Sequence, residues 1–189
     1  MGDSRRTCLV AAISLTWLST VGFAGHASEM PATAAQDASQ TLPGGATELQ
    51  ERHGDWRVTC AQPTGKRVCT LSQQQSDRNT RQLVIAIELK APSANQAEGT
   101  IVLPFGLAVD RPVTLQIDDA PGVQRPVRTC LPVGCLVPVT FDGAMVTALS
   151  SGTILSVRAS AVDGTKETVF RIPLAGFASA LARTAALAK

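Results

Sequence analysis

The chain has 189 residues, a formal net charge of +2 and a hydrophobic fraction of 44%, with 4% aromatic residues and no tyrosine. Recognition of nucleic acid needs clustered arginine and lysine beside aromatic rings that stack on bases, and no basic cluster here is larger than a pair such as Lys66-Arg67. The composition therefore excludes a nucleic-acid-binding protein.

The N-terminal residues have the pattern of an export signal. Two arginines precede an apolar run from residue 8 to 22, and small residues follow this run. Because the run is shorter than the ~20 residues that a membrane-spanning helix needs, it favours a cleaved signal over an anchor and leaves no transmembrane segment. We place cleavage after Ala27, with Ala24 as the alternative, so residues 1–27 form the predicted signal peptide. The arginine pair also resembles a twin-arginine signal, although general secretion is favoured.

The next segment, residues 28–52, is rich in Ala, Pro, Gly and Gln and contains almost no large apolar side chain. Such a segment buries too little apolar surface to offset the entropy lost on ordering, so we predict a flexible tether. A plain spacer is favoured over a partner-binding segment. Residues 53–189 then form a single domain, large enough for one core of ordinary size.

From residue 55 onward, apolar and polar residues alternate with a period of two, which is typical of strands that bury one face. Turn residues separate the alternating segments, and few stretches between them have a helical period. This arrangement predicts an antiparallel β-sandwich or barrel. The apolar rows are Trp56/Val58/Cys60, Leu83/Ile85/Ile87/Leu89, Val113/Leu115/Ile117, Leu155/Val157/Ala159 and Phe170/Ile172/Leu174.

Three short segments near the C-terminus carry local signals. The dipeptides Asp142-Gly143 and Asp163-Gly164 each predict a turn, the second a type I′ hairpin. Residues 176–188 contain apolar side chains at every fourth position among strong helix formers, which predicts one short C-terminal helix. We expect this helix to cover an open end or face of the sheet.

Cysteines occur as two close pairs, Cys60 with Cys69 and Cys130 with Cys135. Exported thiols become disulfides, and four cysteines permit three connectivities. We favour pairing within each close pair, since a turn between the partners already places them within reach. Two alternatives are a zinc site, which the spacing of the first pair does not fit, and a redox-active pair, which would need Cys-x-x-Cys at a helix start.

Several short motifs follow one another along the chain. They are Gly54-Asp55-Trp56 leading to Cys60, Val68-Cys69-Thr70-Leu71-Ser72-Gln73, Leu103-Pro104-Phe105-Gly106-Leu107, Val113-Thr114-Leu115-Gln116-Ile117-Asp118, Cys130-Leu131-Pro132-Val133-Gly134-Cys135 and Gly176-Phe177-Ala178-Ser179-Ala180-Leu181. In this order they resemble the invasion-associated locus B family of exported bacterial proteins. The resemblance implies a β-sandwich in the periplasm or outer envelope of a Gram-negative bacterium, with a link to host-cell entry and virulence. It implies no enzymatic activity, no cofactor, no metal and no catalytic residue.

Few residues offer catalytic chemistry. His53 is the only histidine after residue 27, and no Gly-x-Ser-x-Gly motif supplies a nucleophile for it, so we interpret it as a solvated turn residue. Asp118 and Asp119 are consecutive on a predicted strand and point to opposite faces, which favours turn-capping over acid–base chemistry. Trp56 is either a stacking platform for a ligand or, as we favour, a core residue beside the first disulfide.

The polar segment 72–81 is predicted to be an exposed hairpin loop, where a binding protein often places its contacts. The candidate binding surface consists of Trp56, Gln73, Gln74 and Arg78. The leading hypothesis is non-enzymatic binding of an unknown protein or envelope component. The alternative is an envelope hydrolase or sugar-binding protein that uses Trp56, His53 and a nearby carboxylate such as Asp55.

Overall fold

The structure, a computed structural model, describes residues 42–63 and 66–189. The predicted signal peptide at 1–27 and the first part of the predicted tether lie outside the described residues. A 3-10 turn at Pro43–Gly45 comes first. The strands and helices that follow are β1 (Glu48–His53), β2 (Trp56–Ala61), β3 (Val68–Ser76), β4 (Leu83–Ser93), β5 (Gln96–Leu103), β6 (Val113–Ile117), β7 (Val123–Arg125), β8 (Thr129–Leu131), β9 (Gly134–Phe141), α1 (Gly143–Ser151), β10 (Ile154–Ser160), β11 (Glu167–Pro173) and α2 (Phe177–Leu187).

The strands form two antiparallel sheets whose apolar faces share one core. The larger sheet has the order β1-β2-β3-β4-β5-β9-β8, and the smaller has the order β11-β10-β6-β7. Buried side chains from both sheets belong to one continuous cluster. The predicted antiparallel β-sandwich is therefore confirmed.

The alternation seen in the sequence follows the burial in the sheets. On β2, for example, Trp56, Val58 and Cys60 are buried while Arg57 is exposed. The predicted apolar rows lie in the core, with Leu83 half-buried at the start of β4. The opposite face of the larger sheet is less buried and carries exposed side chains such as Arg57, Glu88 and Lys90, as expected for an antiparallel sheet that is covered on one side.

The folded part begins before the predicted boundary at residue 53. Strand β1 pairs with β2 from Glu48 opposite Ala61 to His53 opposite Trp56, and Leu42 is buried in the core. Residues 42–52 are therefore not part of a free tether. Composition misled the prediction because an edge strand is held by backbone hydrogen bonds and needs few apolar side chains of its own.

A second helix, α1, lies where the sequence predicted only a turn. The Asp142 carboxylate accepts a hydrogen bond from the backbone N–H of Met145 at 2.9 Å, which makes Asp142 the N-cap of α1 and not a turn residue. The sequence analysis predicted the C-terminal helix and missed α1. An Asp-Gly dipeptide suits both a tight turn and a helix start, and the short Ser- and Thr-containing segment that follows has a weak helical signal.

The C-terminal helix is confirmed and packs as expected. Residues Phe177, Leu181 and Ala185 of α2 are buried, and the helix contacts β1 to β4 of the larger sheet. It therefore covers the part of the sheet that the four-stranded sheet leaves open. Within the described residues, neither helix is long and apolar enough to cross a membrane.

The hairpin between β10 and β11 is in the predicted place but has a different turn. The backbone N–H of Gly164 donates to the carbonyl of Ala161 at 2.9 Å. In a type I′ turn both central residues need a positive φ. Of the predicted central residues, Gly164 has a positive φ of 69°, but Asp163 does not. The predicted type I′ turn is therefore wrong.

Candidate functional site

Both disulfides lie in the larger sheet. Cys60 and Cys69 lie directly opposite each other on β2 and β3, with 4.1 Å between their Cα atoms. Cys130 and Cys135 face each other on β8 and β9 at 3.9 Å. The predicted pairing within each close pair is confirmed, and each bond joins neighbouring strands across a hairpin.

Trp56 is an internal side chain and offers no face to a ligand. It is 1% exposed, and its ring meets that of Phe177 edge-on with 5.1 Å between centroids. Its indole N–H donates to the carbonyl oxygen of Pro173 at 3.1 Å. The residue therefore anchors β2 to α2 and to the end of β11, and its ring is a core side chain and not a stacking platform.

Gln73 is also turned inward, and it is 8% exposed. Its side-chain amide donates to the carbonyl of Pro173 at 3.0 Å, and its own carbonyl accepts from the side chain of Gln75 at 3.1 Å. Gln75 also donates to the carbonyl of Arg171 at 2.7 Å. The polar side chains at the end of β3 thus bind the backbone of β11 across the core.

Half of the segment predicted as a loop from 72 to 81 is strand. Residues 72–76 continue β3, so only 77–82 connect it to β4. In this connection the Asp77 carboxylate accepts hydrogen bonds from the backbone N–H groups of Thr80 and Asn79. These bonds hold the pKa of Asp77 below its ordinary value, and the bond from the backbone of Thr80 has the largest effect. Arg78 is exposed in this loop, as predicted.

A polar groove with a volume of about 460 Å³ lies at the start of β2 and opens to solvent. Three residues of the candidate binding surface, Trp56, Gln73 and Gln74, line it, whereas Arg78 does not. The residues that line this groove are Arg52, Asp55, Trp56, Arg57, Ser72, Gln73, Gln74 and Ser76. We refer to it below as the polar groove.

The two arginines of the polar groove are paired across neighbouring strands. Arg52 of β1 lies directly opposite Arg57 of β2, and both side chains are exposed. Like charges directly opposite each other in a sheet are destabilising. Among residues 42–63 and 66–189, neither guanidinium forms an ion pair with a carboxylate. Arg52 donates to the carbonyl of Gly54 at 3.1 Å, which leaves most of its donors directed to solvent.

This arrangement suits a ligand with oxygen acceptors. Two guanidinium groups on one face provide planar, fork-shaped donors for carboxylate or phosphate oxygens. Ser72, Ser76 and Gln74 add neutral hydrogen-bonding groups beside them, and Asp55 adds one acceptor for a donor on the ligand. The polar groove can therefore bind a polar ligand that carries negative charge, and it contains no nucleophile paired with a base.

His53 lies at the end of β1 and contacts α2. Its Nδ1 is 3.2 Å from the Ser179 hydroxyl, and its Nε2 is 3.4 Å from a carboxylate oxygen of Glu51. Both oxygens of Glu51 accept from Arg183, at 2.7 and 2.8 Å. The Arg183 hydrogen bonds hold the pKa of Glu51 below its ordinary value, and Glu51 raises the pKa of Arg183 in turn.

This cluster joins β1 to α2, and its hydroxyl and carboxylate groups also form other hydrogen bonds. The Ser179 hydroxyl donates to the carbonyl of Gly176 at 3.0 Å. Glu51 is already held by Arg183, and the polar groove that Asp55 and Trp56 line does not include His53. Of the groups of the hydrolase alternative, Asp55 and Trp56 line the polar groove, whereas His53 contacts Glu51 and Ser179 instead. In the part of the chain that the structure describes, no cluster of three or more His, Cys, Asp or Glu side chains could hold a metal ion.

Comparison with known proteins identifies the family. A profile described as "Invasion associated locus B (IalB) protein" matches residues 56–185, most of the described domain. The chain belongs to the invasion-associated locus B family. The resemblance seen in the sequence motifs is thereby confirmed.

Relatives in two genera carry the family name. An Invasion protein B homolog of Brucella abortus (strain 2308) is 41% identical over 149 residues, which are 79% of this chain and 86% of that protein. Invasion protein B of Bartonella bacilliformis is 32% identical over 174 residues, covering 90% of this chain and 92% of that protein. The crystal structure of invasion associated protein b from Bartonella henselae has a TM-score of 0.68 and 32% identity, and it covers 74% of this chain and 96% of that one.

Arg52 and Arg57 are the residues that the sequence analysis missed in this member of the invasion-associated locus B family. The sequence analysis assigned residues 48–52 to the tether, so it predicted no strand that could place Arg52 opposite Arg57. The segment Glu48-Leu49-Gln50-Glu51-Arg52 carries no clear signal of a strand, since Leu49 is its only apolar residue and its charged residues do not recur with a period of two.

Proposed function

We propose that this protein is exported, resides in the periplasm or outer envelope of a Gram-negative bacterium, and acts by binding a protein or envelope component without catalysing a reaction. Two disulfides in the described domain support an oxidising compartment. The names of the Brucella and Bartonella relatives support a contribution to the invasion of host cells.

The arginine pair of the polar groove is the observation that carries the proposal. Keeping Arg52 opposite Arg57 costs stability that a pair of opposite charges would not cost. A partner that places a carboxylate or phosphate between the two guanidinium groups removes this repulsion on binding. The cost in the free protein is then recovered in the complex, which is the arrangement expected of a binding site and not of a structural one.

The partner class follows from the lining of the groove. Oxygen acceptors of the ligand meet Arg52 and Arg57, while Ser72 and Gln74 hydrogen-bond to neutral polar groups. A partner with acidic residues on an extended segment, or an anionic envelope polymer, has these groups. Arg78 lies in the adjoining β3–β4 loop and extends the basic surface.

The proposal is tested in a strain from which the gene has been deleted and which is complemented with variants of this chain. Arg52→Gln/Arg57→Gln should lower host-cell entry to the level of the deletion strain while the protein is exported in normal amount. Arg125→Gln/Arg171→Gln, which removes the same charge outside the polar groove, should restore entry. Entry that is unaffected by loss of the groove arginines, or recovery of the protein in the cytosolic fraction with free thiols, would contradict the proposal.

A further inference from the structure

The exposed large apolar side chains of the described domain are concentrated at one end of the sandwich. Most apolar side chains of this size are buried, but Val162, Val133 and Phe105 are 72%, 64% and 62% exposed. Val109 and Leu131 are the next most exposed of this kind. All five lie at or beside the loops that follow β5 and β10 and that connect β8 to β9.

Backbone contacts hold these loops together. The N–H of Val162 donates to the carbonyl of Gly106 at 2.9 Å, and Leu107 forms a β-bridge with Ala161. These bonds join the loop after β5 to the hairpin between β10 and β11. The tips of both loops therefore stand side by side with Phe105 and Val162 exposed.

The disulfide turn completes the group. Phe105 and Val133 line a common cavity of about 460 Å³ together with Leu83, Pro104 and Pro132. The Cys130–Cys135 bond closes the turn that bears Pro132 and Val133. Because the apolar tips are held before any contact is made, little conformational entropy is lost when they bind. We call Phe105, Val109, Leu131, Val133 and Val162 the apolar tips.

The loops at this end carry an excess of positive charge. Residues 77–82, 104–112, 126–128, 132–133 and 161–166 contain five basic and three acidic side chains. Of the three carboxylates, Asp77 and Asp163 accept hydrogen bonds within their own loops. Arg81 precedes Gln82, which lines the same cavity as Phe105, and Arg128 precedes the disulfide turn. Both arginines are exposed and lie beside the apolar tips.

The opposite end of the sandwich holds the start of β1 and the last residue. Glu48 pairs with Ala61 at that end, and Arg67 donates to the backbone carbonyl of Lys189 there. Within the described residues, therefore, neither the segment that enters β1 nor the C-terminal helix covers the apolar tips.

From these observations we infer that the apolar tips dock the protein on the surface of an anionic lipid bilayer. Phe105, Val133 and Val162 enter the boundary between head groups and acyl chains, and Arg81 and Arg128 contact lipid phosphates. A fluid bilayer accepts separate tips on three loops without a complementary shape. A protein partner is less suited, since the surface has no tyrosine or tryptophan, the aromatic residues enriched at protein hot spots. The tips share no residue with the polar groove, so this inference and the proposed function fail independently.

The inference is tested by a flotation assay with lipid vesicles. The protein for this assay is isolated from the envelope fraction of producing cells. Vesicles of phosphatidylcholine with phosphatidylglycerol should bind the protein more tightly than vesicles of phosphatidylcholine alone, and binding to the mixed vesicles should weaken as salt is added. Phe105→Ser/Val133→Ser should lower binding to the mixed vesicles about tenfold or more.

Two further variants make the result specific. Val68→Ser removes an exposed valine at the opposite end and should bind as the parent protein does. Arg81→Gln/Arg128→Gln leaves the apolar tips intact, so it tests the inference even if the serine variant folds poorly, and it should lower binding to the mixed vesicles about tenfold. Equal flotation of parent, Phe105→Ser/Val133→Ser and Val68→Ser would overturn the inference. The inference would also be overturned if the parent protein bound no vesicles but bound a protein partner or a second copy of itself, and if the Phe105→Ser/Val133→Ser variant lost that binding.

Discussion

The side chains of Trp56 and Gln73 donate hydrogen bonds to the same carbonyl oxygen, that of Pro173, at 3.1 and 3.0 Å. One residue is on β2 and the other on β3, so two strands of the larger sheet are joined to the last residue of β11. The burial of the polar Gln73 side chain is thus explained by its hydrogen bond to the backbone carbonyl of Pro173.

Gln73→Ala should destabilise the domain, because it leaves Gln75 and Pro173 with fewer partners and opens space in the core. We expect a loss of about 1–3 kcal/mol in the free energy of unfolding, measured by urea denaturation. Gln74→Ala is the matched control, since Gln74 is exposed on the same strand and should change stability by about 0.5 kcal/mol or less. Equal effects of the two substitutions would show that the Pro173 contact is not stabilising.

Removing the disulfide between β2 and β3 should cost more than removing the one between β8 and β9. The cysteines of the first are separated by 9 positions in the chain and those of the second by 5, and the entropy model gives roughly 2–3 kcal/mol for each. Cys60→Ala/Cys69→Ala also loses packing, because both residues are buried, whereas Cys130 is exposed.

Denaturant unfolding of Cys60→Ala/Cys69→Ala and of Cys130→Ala/Cys135→Ala measures which disulfide contributes more to the free energy of unfolding. Thiol labelling of the denatured, unreduced parent protein is the control and should leave all four cysteines unmodified. Labelling of either pair would contradict the assigned bonds.

Gly99 should tolerate no side chain. A Cβ atom at this position would lie 1.9 Å from the carbonyl oxygen of Glu88 on the neighbouring strand, and backbone cannot move aside without disturbing the sheet. Gly99→Ala should therefore lower the melting temperature strongly or prevent folding.

Gly143→Ala is the control for this substitution. Gly143 begins α1, and its added methyl group would meet the nearest heavy atom at 3.7 Å, an ordinary contact. Because alanine favours a helix, the melting temperature should stay the same or rise, corresponding to about 0.5–1 kcal/mol. A Gly99→Ala protein as stable as Gly143→Ala would show that β4 and β5 are not so closely spaced.

The Glu51–Arg183 pair should make stability depend on pH in the acidic range. Folding lowers the pKa of Glu51, so the folded state binds this proton less readily than the unfolded chain. The stabilisation is complete above the ordinary glutamate pKa, about 4.3, and is lost as the pH falls through the lower value of the folded state. Since the pair is partly exposed to solvent, we expect no more than about 1 kcal/mol.

Comparison with Glu51→Gln isolates this contribution. The difference in unfolding free energy between parent and variant should be present at neutral pH, shrink as the pH falls below about 4, and decrease in high salt. Glu98→Gln, an exposed glutamate on β5, is the control for the loss of one carboxylate elsewhere in the domain. A Glu51→Gln difference that persists unchanged in strong acid would exclude the ion pair as its cause.

Much of the fold followed from the sequence because burial has a period that the sequence shows. The rows through Val58, Leu115 and Val157 alternate with polar residues, and each is a strand of the sandwich. The disulfides were predictable for a similar reason, since each pair flanks a turn. Strand β1 was not, because an edge strand with Glu, Gln and Arg side chains resembles a polar linker in composition.

The candidate site was predicted less well, since it depends on which polar side chains turn inward. Gln73 and Gln74 are neighbours of the same chemistry, yet the first satisfies Pro173 in the core and the second faces solvent. That distinction is set by the position of β11, which is distant in the chain. The opposition of Arg52 and Arg57 likewise requires the register between β1 and β2.

Site-specific photo-cross-linking from position 74 in the producing bacterium tests the binding function of the polar groove most directly. We predict a discrete cross-linked product that is lost in Arg52→Gln/Arg57→Gln and retained in Arg125→Gln/Arg171→Gln. The same cross-linker at Lys90, exposed on the same face of the sheet, should not give this product. A product that persists without the two arginines, or one that forms equally from position 90, would contradict the account.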